Sequence, residues 1–243
     1  MPRSPVPAAW TSRLSRLARR LAVRRQTSSR SQQETFTEIF RVNAWQDGES
    51  VSGPGSTRAR GEDFRTQLVS LIDQYGIRSI LDAPCGDFNW MRDVLAERDL
   101  AYTGVDIVEE LIADNVRKYA SPARRFLCLD ITRDELPAAD LILCRDGLVH
   151  LSFADAGAAI AAFRRSGSRY LLATTFVDRA RNQNVPTGGW RVLNMQAAPF
   201  GFPPPLALID ERCTGGEGNY RDKRLGLWTL REGGTCDVCD GDF

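Results

Sequence analysis

From residue 62 onward the apolar positions fall into short runs separated by stretches of helical spacing. Phe64, Leu68, Leu71, Ile72 and Tyr75 share one side of a helix predicted over 62–75, with Gly76 as its stop. Ser79 to Asp82 reads as a strand, 88–97 as a helix, and Tyr102 to Asp106 as a second strand. A helix over 108–118, a strand from Arg125 to Asp130 and a strand from Asp140 to Cys144 continue the alternation. An Ala-rich helix over 153–165 and a strand from Arg169 to Phe176 follow; Leu206–Ile209 and Leu225–Leu230 supply late strands, antiparallel ones included. Strands alternating with helices need crossover connections, so the pattern predicts an α/β fold with a doubly wound, mostly parallel sheet. Upstream, Phe36, Ile39, Phe40 and Asn43 predict a helical extension within 34–46, and a Gly-, Ser- and Pro-rich loop fills 47–61.

The first 33 residues differ in kind. They hold eight Arg and no acid, while the remaining 210 hold 24 basic and 31 acidic groups, a balance of −7. Trp10, Leu14, Leu17 and Leu21 fall on one helical face ringed by Arg, so residues 8–25 form a basic amphipathic stretch. Such a stretch suits an anionic membrane surface or a protein partner, and its Arg-rich, acid-free character is shared with transit peptides. A solvated extension is the reading we favour, with domains at 1–33 (tail), 34–235 (body) and 236–243 (acidic tail). The mildly acidic body argues against a nucleic-acid partner. No run of eighteen apolar residues exists, and one His excludes a multi-His metal site; no metal is expected. Cys85, Cys128 and Cys144 lie in or beside apolar strand-like runs, as reduced thiols in the cytoplasm would. Cys236 and Cys239 lack enough companions for a structural zinc site.

Chemistry enters at the strand ends. Asp82, Asp106 and Asp130 each close an apolar run, and ligands of open α/β sheets bind beyond the carboxyl ends of the strands. An acid about 20 residues after a glycine turn is placed to take ribose hydroxyls, which fits Asp106. Asp130, one strand across, suits an adenine amino group or the pocket floor. The turn Asp82-Ala83-Pro84-Cys85-Gly86-Asp87 has one glycine, and Asp87 would repel phosphate, so NAD is disfavoured. A phosphate-free nucleoside with a positive end remains, and S-adenosylmethionine meets that description.

The segments Leu81-Asp82-Ala83-Pro84-Cys85-Gly86, Gly104-Val105-Asp106-Ile107 and Asp140 to Asp146, with His150, resemble the successive motifs of class I S-adenosylmethionine-dependent methyltransferases. The similarity spans about 35–235 and is greatest to bacterial members with Ser-Gly-Pro-Gly-Ser-Thr and Thr-Gly-Gly-Trp-Arg-x-Leu-Asn segments. The resemblance implies a Rossmann-like fold and a methyl-transfer activity. It implies that Asp82, Ala83, Pro84 and Gly86 border the methionine end, Asp106 and Ile107 hold the ribose, and Asp130 and Ile131 lie at the adenine. Cys144, Arg145 and Asp146 would flank the sulfonium. Pro84 and Phe88 replace two glycines of the common first motif, D-x-G-x-G-x-G.

Three further sets follow. His150 is either a general base or a loop-fixing residue, and Asp146 either orients it or acts itself. Gly55 and Ser56, within Ser50–Thr57, belong to a nest for the cofactor carboxylate or a lid, on which Trp45 packs. Trp190, Arg191 and Asn194 suit an acceptor wall: stacking on a sugar, clamping an anion and bonding a hydroxyl. The expected activity is methylation of a small-molecule acceptor at a hydroxyl, with a saccharide or glycan intermediate as a refinement. The alternative is a non-catalytic S-adenosylmethionine-binding adaptor.

Overall fold

The structure, a computed structural model, describes residues 30–96, 98–213 and 219–230. The basic stretch over 8–25 and the pair Cys236 and Cys239 lie outside the described residues. Helix α1 (Gln32–Arg41) opens on a capping box: Ser31 Oγ accepts from the Glu34 amide, and the Glu34 carboxylate accepts from the Ser31 amide. That cap satisfies two amides the first turn would otherwise leave unbonded. The helix therefore begins two residues ahead of the expected boundary at 34.

Helix α2 (Arg58–Gln74) starts four residues earlier than its apolar periodicity suggested. Gly61 lies inside it because a Cβ there would come within 2.7 Å of the Trp90 Cβ. Strand β1 (Ser79–Asp82) is followed by a short helix α3 (Met91–Leu95). The expected helix over 88–97 shrinks because Phe88 is left-handed, at φ 57°. Next come β2 (Ala101–Asp106), α4 (Glu109–Tyr119), β3 (Arg124–Cys128) and β4 (Leu141–Cys144). Helix α5 (Phe153–Arg165), β5 (Tyr170–Phe176), β6 (Ala207–Asp210) and β7 (Lys223–Thr229) follow among the described residues.

The sheet runs β3-β2-β1-β4-β5-β7-β6. The first five strands are parallel, and β7 is antiparallel to both β5 and β6. Core residues cover both faces: Leu81, Val105, Ile142 and Phe163 belong to one cluster, and Phe64, Leu68, Ile80 and Tyr102 to the other. Two covered faces explain why the parallel strands read as continuous apolar runs. Strand order reverses between β1 and β4, so the crossovers diverge there and leave a crevice beyond the strand ends. Among the described residues no helix is long and apolar enough to cross a membrane.

The reversed strand carries a tight contact. Trp228 is 2% exposed and donates from its indole nitrogen to the Pro203 carbonyl at 2.8 Å. A Cβ on Gly226 would lie 2.3 Å from that ring. Gly226→Ala must displace a rigid, buried indole. The expected cost is about 1–3 kcal/mol, read as a lowered midpoint in thermal or urea unfolding.

Candidate active site

The crevice is a cleft with about 1100 Å³ of space between protein atoms, its mouth included. Its floor comes from the turns after β1, β2, β3 and β4, and α1 crosses its mouth with Gln32, Phe36, Ile39 and Phe40.

The turn after β1 is built by backbone anchoring. The Ala83 amide donates to the Leu143 carbonyl and the Cys85 amide to the Val105 carbonyl, each at 2.8 Å. These bonds pull the chain between its two neighbouring strands. Ala83 is thereby buried in the core and does not line the cleft, whereas Pro84, Cys85 and Gly86 do. Gly86 is left-handed (φ 54°), and a Cβ on it would strike Ser52 Oγ at 2.3 Å. Its amide donates to Asp106 Oδ2 at 3.2 Å, and Asn115 Nδ2 donates to its carbonyl at 2.7 Å. Asp87 turns to the 50–57 loop instead of the cleft, accepting from the Val51 amide and from Ser52 Oγ.

Asp106 is buried at the end of β2. Oδ1 accepts from the Val108 amide and Oδ2 from the Gly86 amide. The Ile107 amide bonds the carboxylate as well; a carboxylate offers about four acceptor positions, so capacity is left for a guest. Burial raises its pKa to about 6, against the lowering by those amides. Asp82 is raised to about 7, again mainly by burial, while the Tyr102 hydroxyl donates to Oδ2 at 2.7 Å and opposes the rise. Asp130 lies two residues past the end of β3, in a turn where Oδ1 accepts from the amide and hydroxyl of Thr132. Ile107 and Ile131 line the cleft beside these acids.

On the β4 side Cys144 is fully buried and outside the lining; burial lifts its thiol to about 12. Arg145 and Asp146 do reach the cleft. Arg145 donates from Nε and Nη2 to Glu211 Oε2 at 3.1 and 2.7 Å. Lys223 Nζ bonds Asp146 Oδ2 at 2.7 Å and lies 3.2 Å from Glu211 Oε2. Lys223 and Arg145 hold the Asp146 carboxyl far below its ordinary range, overcoming its burial. Sequence reasoning missed Glu211 and Lys223, which lie 66 and 77 positions away from their partners. The available signal was scarcity: Lys223 is one of two lysines.

His150 lines the cleft, half-buried, with burial lowering its pKa. Its Nδ1 lies 2.7 Å from the Gly189 carbonyl, which can only accept. Nδ1 therefore carries the proton, and Nε2 keeps the lone pair. The orienting partner is this carbonyl; Asp146 is engaged by Lys223. The 187–191 segment clasps the His150 region further: Gly188 donates to the His150 carbonyl, and Arg191 donates to the Val149 carbonyl.

The expected acceptor residues stand elsewhere. Arg191 is buried, donates to the Leu151 carbonyl and covers the Phe153 ring at 5.0 Å. Asn194 donates to the Arg179 carbonyl and accepts from the Gln196 amide. Trp190 packs on Phe176 and Tyr220. None of the three lines the cleft. The 50–57 loop is ordered, with a 3-10 turn at Pro54–Ser56, and Ser52 and Ser56 reach the cleft. Gly55 does not, though a Cβ on it would lie 3.3 Å from Asp146 Oδ2. Thr57 stands at the start of α2 without capping it. Trp45 packs on Gly53, and its ring centroid lies 4.5 Å from that of His150. Among the described residues no cluster of His, Cys, Asp and Glu could hold a metal ion.

No family model matches the chain, and no curated protein matches it in sequence. Solved structures do match in shape. Human N-acetylserotonin methyltransferase in complex with S-adenosylmethionine superposes at TM-score 0.57 and 13% identity, over 87% of this chain and 65% of that one. Magnesium protoporphyrin IX methyltransferase from Synechocystis PCC 6803, with bound S-adenosylmethionine, gives TM-score 0.48 and 16% identity over 65% and 82%. An S-adenosylmethionine-dependent methyltransferase from Clostridium acetobutylicum ATCC 824 gives 0.41 and 17% over 49% and 53%. The chain thus spans about half the length of the clostridial structure and just under two thirds of the human one. The fold is that of the class I methyltransferases, Rossmann-like with a reversed seventh strand.

The buried charges yield a test. Breaking one partner of a buried ion pair costs about 3–5 kcal/mol. Lys223→Met should lower unfolding stability by that order and leave the far-ultraviolet dichroism of the folded protein essentially unchanged.

Proposed function

We propose that this chain is an S-adenosylmethionine-dependent methyltransferase acting on a hydroxyl of a small molecule. The observation that carries the reading is Asp106: a buried carboxylate lining the cleft with acceptor capacity left over after its backbone amides. The residues fit this cofactor better than a dinucleotide. The acids Asp82, Asp106 and Asp130 face the cleft, and no glycine-rich cradle offers amides to a pyrophosphate. The ribose would bond the remaining capacity of Asp106, with Asp82, Pro84 and Gly86 toward the methionine end and Asp130 and Ile131 toward the adenine. When bound, the cofactor supplies a methyl group made electrophilic by the sulfonium.

The chain supplies position and a proton acceptor. His150 presents a neutral imidazole whose tautomer is fixed by Gly189, and a lowered pKa keeps it unprotonated at pH 7. Its Nε2 takes the hydroxyl proton; Arg145 and Asp146, pinned by Glu211 and Lys223, fix the floor beside it. A saccharide acceptor rested on Trp190, Arg191 and Asn194, and their places outside the cleft remove that support.

Two measurements test this. Calorimetry with S-adenosylhomocysteine should show binding, weakened by about 1–3 kcal/mol in Asp106→Ala. Because the ionised carboxylate is the better acceptor and its pKa is raised to about 6, affinity should climb as pH rises through that value and level off above it. His150→Gln should cut turnover by roughly 10²–10⁴-fold while sparing cofactor affinity. A protein that binds the cofactor product but methylates no acceptor would be the adaptor instead.

A further inference from the structure

The cleft crosses the ends of β3, β2, β1 and β4 in that order. Strands lie about 4.8 Å apart, so the floor spans roughly 14 Å. If the cofactor lies as proposed above, adenine to methionine covers the first three strand ends, and the fourth is left for the acceptor. The lining there is unusual. The Trp45 and His150 rings lie side by side, centroids 4.5 Å apart and tilted by 42°, and Trp90, whose ring is 5.4 Å from the Arg145 guanidinium, also lines the cleft.

The same corner excludes other guests. Arg145, the cationic side chain lining the cleft, already serves Glu211, and Asp146 stands beside it as a carboxylate. A negatively charged acceptor at the fourth strand end would meet the Asp146 carboxylate, and among the described residues lining the cleft the one cation, Arg145, is already engaged. A sugar needs hydrogen-bonding partners around its rim, and this wall offers ring faces.

We propose that the acceptor is an uncharged aromatic compound bearing a phenolic hydroxyl, its ring held against Trp45 and its oxygen at His150 Nε2. The inference rests on the methyltransferase reading. In the step it implies, the phenolic proton passes to Nε2 and an oxygen electron pair forms the bond to the methyl carbon. The carbon–sulfur electron pair leaves with sulfur. The products are an aryl methyl ether, S-adenosylhomocysteine and an imidazolium that returns its proton to water. Trp45 is the specificity-determining residue, since its ring lies directly beside the base.

The test measures binding to the full chain saturated with S-adenosylhomocysteine, by calorimetry and saturation-transfer NMR. 4-Methylphenol should bind about fivefold more tightly than 4-methylcyclohexanol, which has the same hydroxyl and size without a π face. Methyl glucoside and 4-hydroxybenzoate should bind more weakly than 4-methylphenol. Trp45→Leu should erase the preference for the aromatic ring while leaving S-adenosylhomocysteine affinity within about twofold, and Trp45→Phe should restore it. Equal binding of the phenol and the cyclohexanol by the wild-type chain overturns the inference, as does tighter binding of the glucoside or the benzoate. Failure of S-adenosylhomocysteine itself to bind overturns the methyltransferase reading and this inference with it.

Discussion

The bonds from the Gly86 and Val108 amides to the Asp106 carboxylate tie the site together. They join the turn after β1 to the turn after β2, so two chain reversals share one acid. Each partner is constrained in turn. Gly86 must be left-handed, and Ser52 occupies the space its Cβ would need. Asn115 on α4 holds its carbonyl from the other side. The acid is kept out of water, which makes its charge costly and its remaining acceptor capacity more valuable to a guest. Without this bond the first turn would be tied to β2 by the Cys85 amide and Val105 carbonyl alone.

A second buried system sits across the switch point. Arg145, Asp146, Glu211 and Lys223 converge from the ends of β4 and β6 and the start of β7. Two cations face two anions, so the group is neutral as a whole. Such networks gain little stability over apolar packing and fix geometry instead. Here the fixed geometry is that of the residues following β4, including the segment that carries His150. The reversed strand is what makes the network: only an antiparallel β7 begins at the carboxyl edge of the other strands and delivers Lys223 there.

The sheet was legible because burial on both faces leaves an unmistakable apolar signature, and helix α5 was matched to the residue. Boundaries failed where one residue served another element. Gly61 reads as loop punctuation, yet it lets α2 approach Trp90; Phe88 reads as helical, yet it turns left-handed to end the first turn. Asp82, Asp106 and His150 were visible because strand-end acids and a lone imidazole stand out locally. Trp190, Arg191 and Asn194 show the opposite case. Their residue types suit ligand binding, but backbone carbonyls, Phe153, Phe176 and Tyr220 claim them, and no local pattern records such distant partners. Glu211 and Lys223 escaped for the same reason.

Helix α1 and the loop behind it come from one unbroken stretch, Ser31 to Thr57, that precedes the first strand. That stretch brings the roof of the cleft, the indole beside the imidazole and the serines at the first turn, while the sheet edge brings the acids. On the proposed reading, grip and choice are written in separate paragraphs of the chain. A swap confined to the helix, Gln32–Arg41, would alter the roof and leave in place the serines that brace the turn after β1.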